Sequence, residues 1–256
     1  MRTQSAVRTA GLPPFGPRRT PQRPTHERVP RCTWSALTTW AGSDIVASPS
    51  VRRAGAPMSK QYDQAYFDHW YRHPRHRVKS DDALVRKVRM VLAIAEWYLE
   101  HPVRSVLDVG CGEAPWFPIL RMLRPKLDYL GLDPSSYAVE RYGASRNVRL
   151  CRFGDLEQQR FDRPVDLLVC ADVMHYVPSA ELLRGLSGFR ELCDGVAYLE
   201  VMCRGDDFVG DREGWIGRTP AWYRKAFAAA GFTACGSHCY LGPRLRQPAM
   251  ALELAG

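Results

Sequence analysis

Four carboxylates in this sequence follow short apolar runs, and their positions suit contact with a bound ligand. They are Asp108 in "VLDVGCG", Asp133 in "YLGLDPSS", Asp155 in "RFGDLEQ" and Asp172 in "LLVCADVMHYV". Carboxylates at such positions can accept hydrogen bonds from hydroxyl or amino groups, and they can attract a cation. Each of them alone also suits a helix cap or a turn. Their recurrence after successive runs favours a shared ligand site.

The glycine loop after the first run predicts a ligand without phosphates. Gly110 and Gly112 permit backbone conformations that other residues avoid, and they let a ligand approach closely. A dinucleotide fingerprint needs a third glycine where Pro115 stands, and a P-loop needs a Lys followed by Ser or Thr. Glu113 also puts a negative charge where a pyrophosphate would lie. The alternative is a tight turn that binds nothing.

The later carboxylates suit an adenosine group. Asp133 lies 21 residues beyond Gly112, where nucleoside-binding sheets often carry an acid that accepts bonds from the ribose hydroxyls. Asp155 can accept from an adenine amino group, with Leu156 as an apolar wall beside it. An Asp that opens the "DPSS" turn is the alternative for Asp133.

A sheet is needed to bring these residues together, and the pattern of the chain predicts one. From residue 103, near-continuous apolar runs alternate with helical segments, and the last such run is "QPAMALELAG". This pattern is typical of a doubly wound α/β fold with a mostly parallel sheet and helices on both faces. Such sheets bind ligands at the carboxyl ends of their strands. Residues 58–102 precede the sheet as a helical cap, with a long helix that Ser80 can cap.

The first 57 residues differ in composition from the rest. They contain nine Arg and only Glu27 and Asp44 as acids, a charge of +7 out of the total +9. They hold eight of the 19 prolines and show no period of a helix or a strand. We interpret residues 1–57 as a disordered tail that is dispensable or absent from the natural protein, with Met58 as an alternative start. The remaining residues are nearly neutral, so we expect no nucleic-acid partner.

The cysteines indicate reduced thiols. Eight cysteines occur at scattered spacings without a CxxC motif, so we expect a cytoplasmic protein. Cys235 and Cys239 bracket His238, but a tetrahedral site needs a further ligand, so we expect no metal. No stretch approaches the roughly 20 apolar residues of a membrane span, and we expect no membrane contact.

Taken together, the motifs resemble a known series. The segments "VLDVGCGEAPW", "YLGLDPSS", "RFGDLEQ", "VDLLVCADVMHYV" and "AYLEVM" resemble, in order and spacing, those of the class I S-adenosylmethionine-dependent methyltransferases. The resemblance spans about residues 60–256. It implies a Rossmann-like sheet of seven strands with an antiparallel last strand, S-adenosylmethionine as the cofactor, and transfer of its methyl group to a small molecule.

The resemblance also implies roles for individual residues. The methionine part of the cofactor would face Asp108 and the loop Gly110, Cys111 and Gly112. The ribose would face Asp133, with Pro134 beside it, and the adenine would face Asp155 and Leu156. Asp172 follows the fourth strand, where the family opens towards the methyl group. The N-terminal aromatic residues Tyr62, Tyr66 and Trp70 would cover the site, although core packing of a helix face is the alternative for them.

A general base is needed only if the acceptor must lose a proton. His175 is the first candidate because an unperturbed imidazole titrates near pH 6.5, and Tyr176, Glu200 and His69 follow it. A loop histidine held by backbone groups is the alternative for His175.

Two departures from the family pattern narrow the function. Ala114 and Pro115 replace smaller residues after the second glycine, so Trp116 is expected to shape the methionine pocket. The fourth strand is not followed by Asn or Asp with Pro-Pro and an aromatic residue, which disfavours methylation of adenine, cytosine or glutamine amino groups. Two other functions stay open at this point: a nucleotide-dependent oxidoreductase on a similar sheet, and a non-catalytic S-adenosylmethionine-binding protein.

Overall fold

Seven strands and the helices between them form the part of the chain that carries the predicted motifs. The computed structural model describes residues 60, 62–73, 81–207 and 210–245. The strands are β1 Ser105–Val109, β2 Asp128–Asp133, β3 Val148–Leu150, β4 Val165–Ala171, β5 Cys193–Glu200, β6 Thr233–Gly236 and β7 Cys239–Leu241. The helices are α1 Gln64–Phe67, α2 Asp81–Leu99, α3 Trp116–Leu123, α4 Ser136–Arg146, α5 Ser179–Leu192 and α6 Pro220–Ala229.

The strand order is β3-β2-β1-β4-β5-β7-β6. The first five strands are parallel to one another, and β7 pairs antiparallel with β5 and β6. The predicted doubly wound, mostly parallel sheet with an antiparallel last strand is therefore confirmed. Strand order reverses between β1 and β4, so the ligand site is expected beside the carboxyl ends of these two strands.

The central strands are apolar because both faces of the sheet are covered. All five residues of β1 are buried. Alternate side chains of a strand point to opposite faces, and Val106 packs in one cluster with Val91 and Leu92 of α2 and Leu120 of α3. Helix α5 packs on the 3₁₀ turn Phe153–Gln158, on β5 and on α6.

The N-terminal part consists of a short helix and a turn. Asp63 caps α1, because its carboxylate accepts a hydrogen bond from the backbone N–H of Tyr66 at 3.0 Å. The chain continues as one π-helical turn, Asp68–Arg72. The tail 1–57, the cap Ser80 and the last apolar run 247–256 lie outside the described residues. All described residues belong to one unit, Pro49–Gly256.

Candidate active site

The loop after β1 is shaped by close contacts on both sides. Gly110 has φ +67°, and a Cβ atom there would lie 2.4 Å from a methyl carbon of Val173. Gly112 has φ +53°, and its Cβ would lie 2.9 Å from the ring of Phe67. Real Cβ atoms do not approach other atoms so closely, so both positions require glycine. The loop therefore passes tightly between the residue after Asp172 and the N-terminal helix.

Asp133, the last residue of β2, fixes this loop. Its carboxylate accepts a hydrogen bond from the backbone N–H of Gly112 at 2.7 Å and one from that of Ser135 at 2.8 Å. Burial raises the pKa of Asp133, and the two N–H donors oppose that shift. The side chain lines a large cavity at the carboxyl edge of the sheet, where its remaining lone pairs can accept from a ligand.

That cavity brings together groups from four successive strand ends. Its volume is about 970 Å³. Among the predicted residues, its walls contain Gly110, Gly112, Asp133, Pro134, Asp155, Leu156, Asp172, Tyr176, Tyr62 and Tyr66. Asp155 and Leu156 reach it from the 3₁₀ turn after β3. Asp172 follows β4 with φ +61°, and its N–H donates to the carbonyl of Glu200 at 3.1 Å.

Two residues of the first motif lie behind the cavity instead of lining it. Asp108 is in the middle of the sheet and shares a face of β1 with Val106, so it points into the helix layer. It accepts a hydrogen bond from the hydroxyl of Tyr129 at 2.7 Å, and burial raises its pKa to about 7. Cys111 is buried too, and its sulfur lies against Gly131. In the structure, both Asp108 and Cys111 make contacts within the core of the protein.

His175 also lies away from the cavity surface. It is 1% exposed, and its Nδ1 atom accepts a hydrogen bond from the backbone N–H of Met202 at 3.3 Å. Burial lowers the pKa of the imidazole to about 4, so the ring is neutral near pH 7. Its carbonyl accepts from the N–H of Ile216 at 2.8 Å. These contacts match the alternative of a loop histidine held by backbone groups.

Tyr176 does line the cavity, and a buried arginine holds the turn that carries it. The Tyr176 hydroxyl donates to the carbonyl of Asp211 at 2.6 Å, and burial raises the pKa of this phenol. The Arg218 guanidinium donates to the carbonyl of Met174 at 3.2 Å and to the hydroxyl of Ser179 at 3.1 Å. The turn after β4 is thereby fastened to the segment before α6.

The N-terminal segment supplies the opposite wall. Tyr62 and Tyr66 line the cavity and meet edge to face with ring centroids 5.0 Å apart. Trp70 does not line it and packs on His69 instead. The hydroxyl of Ser135 donates to the carbonyl of Tyr62, and Arg72 forms an ion pair with Glu113. These contacts attach the segment to the glycine loop and to the end of β2.

Several lining residues were not predicted from the sequence. They include Lys60, Phe67, Tyr71, Tyr137, Arg152, Glu181 and Arg184. Phe67 and Tyr71 are four residues apart in the aromatic N-terminal segment, and this helical spacing was a usable signal. Lys60 pairs with Asp211, 151 residues away, and no local pattern marks that contact.

The remaining candidates lie elsewhere. The Glu200 carboxylate forms an ion pair with Lys87 at 2.6 Å in a separate groove, and His69 is exposed beside Trp70. Within the described ranges, no three His, Cys, Asp or Glu side chains are grouped as a metal site needs. Over the same part of the chain, no helix has the length and apolarity to cross a membrane.

The comparison with protein families decides what kind of domain this is. A family model described as a methyltransferase domain matches residues 107–195, which extend from β1 into β5. Residues 107–195 are therefore a methyltransferase domain. Its cofactor is accordingly S-adenosylmethionine, and the oxidoreductase alternative no longer applies. A search of curated proteins found no match to the sequence.

Solved structures share the fold of the methyltransferase domain. A methyltransferase from Archaeoglobus fulgidus is 13% identical, with 66% of this chain and 73% of that chain covered and a TM-score of 0.50. The sugar N-methyltransferase KedS8 from Streptoalloteichus is 19% identical over 77% and 98% of the two chains, with a TM-score of 0.53. CalS10 from Micromonospora echinaspora, an amino pentose methyltransferase, is 19% identical over 70% and 93%, with a TM-score of 0.52.

Proposed function

We propose that this protein transfers the methyl group of S-adenosylmethionine to a small-molecule acceptor bound in the 970 Å³ cavity. The observation that carries the proposal is the convergence of four strand ends on that single cavity. In the proposed arrangement Asp133 accepts from the ribose hydroxyls, and Asp155 with Leu156 binds the adenine. The backbone of Gly110 and Gly112 faces the methionine part.

Asp108 and Cys111 are assigned to supporting positions in this proposal. Asp108 holds Tyr129 beneath the loop, and Cys111 packs on Gly131. Neither needs to touch the cofactor for the loop to keep its shape. His175 likewise holds the turn that carries Tyr176, which leaves Tyr176 as the candidate for contact with the acceptor.

The chemistry makes modest demands on these residues. The sulfonium of S-adenosylmethionine supplies an already activated methyl group, so the protein has to position the acceptor and exclude water. The glycine loop is compatible with this cofactor because it lacks the features of a phosphate site and bears Glu113. The tyrosine side chains supply a neutral wall for the acceptor.

The small size of the acceptor is supported by the N-terminal segment, which covers one side of the cavity. The N-terminal segment is attached across the cavity at Tyr62 and at Arg72. A long polymer would have to displace this segment, whereas a small molecule fits beneath it. The sugar and amino pentose acceptors in the descriptions of KedS8 and CalS10 are small molecules too.

Titration calorimetry with S-adenosylhomocysteine tests the ribose assignment. We expect Asp133→Ala to weaken binding by about 1–3 kcal/mol, since a charged acceptor is lost and two backbone N–H groups lose their partner. Asp133→Asn is the matched control, because it keeps one oxygen acceptor and the size of the side chain. Unchanged affinity in Asp133→Ala would refute the assignment. Tight binding without methyl transfer to any member of a broad acceptor panel would favour the non-catalytic alternative.

We also propose a domain division and a cellular location. Residues 62–73 form the cover of the site, α2 belongs to the helix layer of the sheet, and residues 103–256 form the rest of the methyltransferase domain. A cytoplasmic location is supported by the seven free cysteines of the described residues, which suit a reducing compartment. Mass spectrometry of the natural N-terminus tests whether residues 1–57 are present.

A further inference from the structure

The ammonium group of Lys60 sits among three tyrosine rings. Its Nζ atom lies 4.5 Å from the ring centroid of Tyr176, 5.1 Å from that of Tyr66 and 5.5 Å from that of Tyr62. A cation within about 6 Å of a ring centroid is attracted by the negative face of the ring. The three rings therefore form a cage for a positive charge, which we call the tyrosine cage.

Anionic and carbonyl oxygens complete the tyrosine cage. The Lys60 ammonium forms an ion pair with Asp211 and donates to the carbonyl of Glu213 at 3.0 Å. Asp211 is held in turn, since its other carboxylate oxygen accepts from the N–H of Glu213 at 2.8 Å. Its own carbonyl accepts from Tyr176 at 2.6 Å. The partners of the ammonium are thus fixed by contacts that do not involve Lys60.

The tyrosine cage opens on the cavity. Lys60, Tyr62, Tyr66 and Tyr176 all line it, and so does Asp172, four residues before Tyr176. Asp155 and Leu156, the proposed adenine contacts, come from the end of β3, beyond β2 and β1 in the sheet order. The tyrosine cage is therefore on the side of β4, where the proposed arrangement leaves room for the acceptor.

Lys60 shows what kind of group the tyrosine cage holds. Its occupant is a primary ammonium on a flexible aliphatic stem, and the exposed fraction of this side chain is only 15%. An incoming ammonium of equal charge would find the same partners, so Asp211 would keep a counter-ion during the exchange. A neutral hydroxyl would leave that carboxylate without one.

We propose that the tyrosine cage is the recognition site for a protonated amino group of the acceptor, which takes the place of the Lys60 ammonium. This inference rests on the proposed function and narrows the acceptor to small molecules that carry an amine. In this proposal the amino group in the tyrosine cage holds the acceptor in place. Lys60 then occupies the cage only until an acceptor binds.

Calorimetry with n-butylammonium, on protein saturated with S-adenosylhomocysteine, tests the cage. We expect Lys60→Met to bind this probe at least about tenfold more tightly than the wild type, because the resident ammonium is gone while an apolar stem as far as Cε is kept. In that background Tyr66→Leu is expected to weaken binding about tenfold, whereas Tyr66→Phe, which keeps the ring face, retains it. The matched neutral probe, 1-butanol, should bind far more weakly.

The inference is overturned if n-butylammonium and 1-butanol bind alike, or if Tyr66→Leu leaves the affinity for n-butylammonium unchanged. Binding of S-adenosylhomocysteine to each variant shows that the fold is intact. It also separates the two proposals: its absence in the wild type would remove the proposed function, whereas its presence without ammonium binding would remove only the cage.

Inhibition kinetics give a second readout on the wild type. With an acceptor found in the panel, n-butylammonium should compete with the acceptor and not with S-adenosylmethionine. Preferred methylation of molecules without any amine would contradict the inference.

Discussion

The two sides of the cavity are built in different ways. On the sheet side, Gly110, Asp133 and Asp172 occupy the ends of neighbouring strands, so the hydrogen bonds of the sheet set their positions. On the tyrosine side, the side chains of Lys60, Tyr66 and Tyr176 reach across to each other and to Asp211, and no sheet hydrogen bond sets their positions. The comparison teaches that a strand-end motif can be found from spacing, whereas a cage made of distant segments cannot. Three experiments probe how rigid the sheet side is and how weakly the cover is attached.

The largest effect is expected at the glycine loop. Gly110→Ala should destabilise the fold by about 2–5 kcal/mol, because it combines an unfavourable positive φ with a clash against Val173. Urea denaturation measures this change. Gly214→Ala is the matched control, since Gly214 has φ +73° but nothing within 4 Å of the new Cβ, and about 1–2 kcal/mol is expected there. Equal losses at the two positions would show that the sheet side is less closely packed than its distances indicate.

The second effect concerns Asp108, whose pKa burial raises to about 7. A raised pKa means that the folded protein favours the protonated form of the Asp108 carboxyl. The contribution of this group to the free energy of unfolding is therefore complete below its pKa in the unfolded chain, and it is lost as the pH rises through about 7. We expect a loss of about 2–3 kcal/mol between about pH 5 and about pH 8, measured by denaturation at each pH.

Asp108→Asn is the control for that titration. The amide keeps an oxygen for the Tyr129 hydroxyl and cannot ionise, so this part of the pH dependence should vanish. A variant that titrates as steeply as the wild type would assign the pH dependence to other groups.

The smallest effect is expected at the edge of the cover, in the ion pair of Arg72 with Glu113. The Arg72 side chain is 42% exposed, and exposed pairs contribute little. A double-mutant cycle with Arg72→Gln and Glu113→Gln should give a coupling of about 0.2–1 kcal/mol that falls with added salt. The pair Arg160 and Glu191, with side chains 64% and 62% exposed, is the control and should couple less. A much larger value would mean that the cover is held as firmly as the sheet side.

The fold was predictable because its elements carry local signals. The strands contain near-continuous apolar residues, and α2 has the spacing of a helix with one buried face, Val88, Val91, Leu92 and Ala95. Thr219 marks the start of α6 as a helix cap, and its hydroxyl accepts from the N–H of Trp222 at 3.3 Å.

Only the site residues that lie at the ends of strands could be predicted from the sequence. Asp133 is the last residue of β2 and Asp155 lies in the 3₁₀ turn after β3, and both line the cavity at the edge of the sheet. Asp108 pairs with Gly131 and so lies two positions deeper in the sheet than Asp133, inside β1, where the helix layer covers it. His175 is a residue type that often acts as a general base, but its Nδ1 atom accepts a hydrogen bond from the backbone N–H of Met202. Such differences depend on tertiary contacts that sequence spacing does not encode.

The double hydrogen bond of Asp133 to Gly112 and Ser135 has a thermodynamic consequence. Because these two hydrogen bonds hold the glycine loop in its shape, cofactor binding requires little ordering of the chain there. The heat-capacity change of binding should then report mainly the apolar surface that the ligand covers, including the faces of the tyrosine rings. The glycine loop contributes little to the heat-capacity change of binding. Differences in this quantity between ligands should therefore reflect the surface that each ligand covers on the opposite, tyrosine-bearing wall.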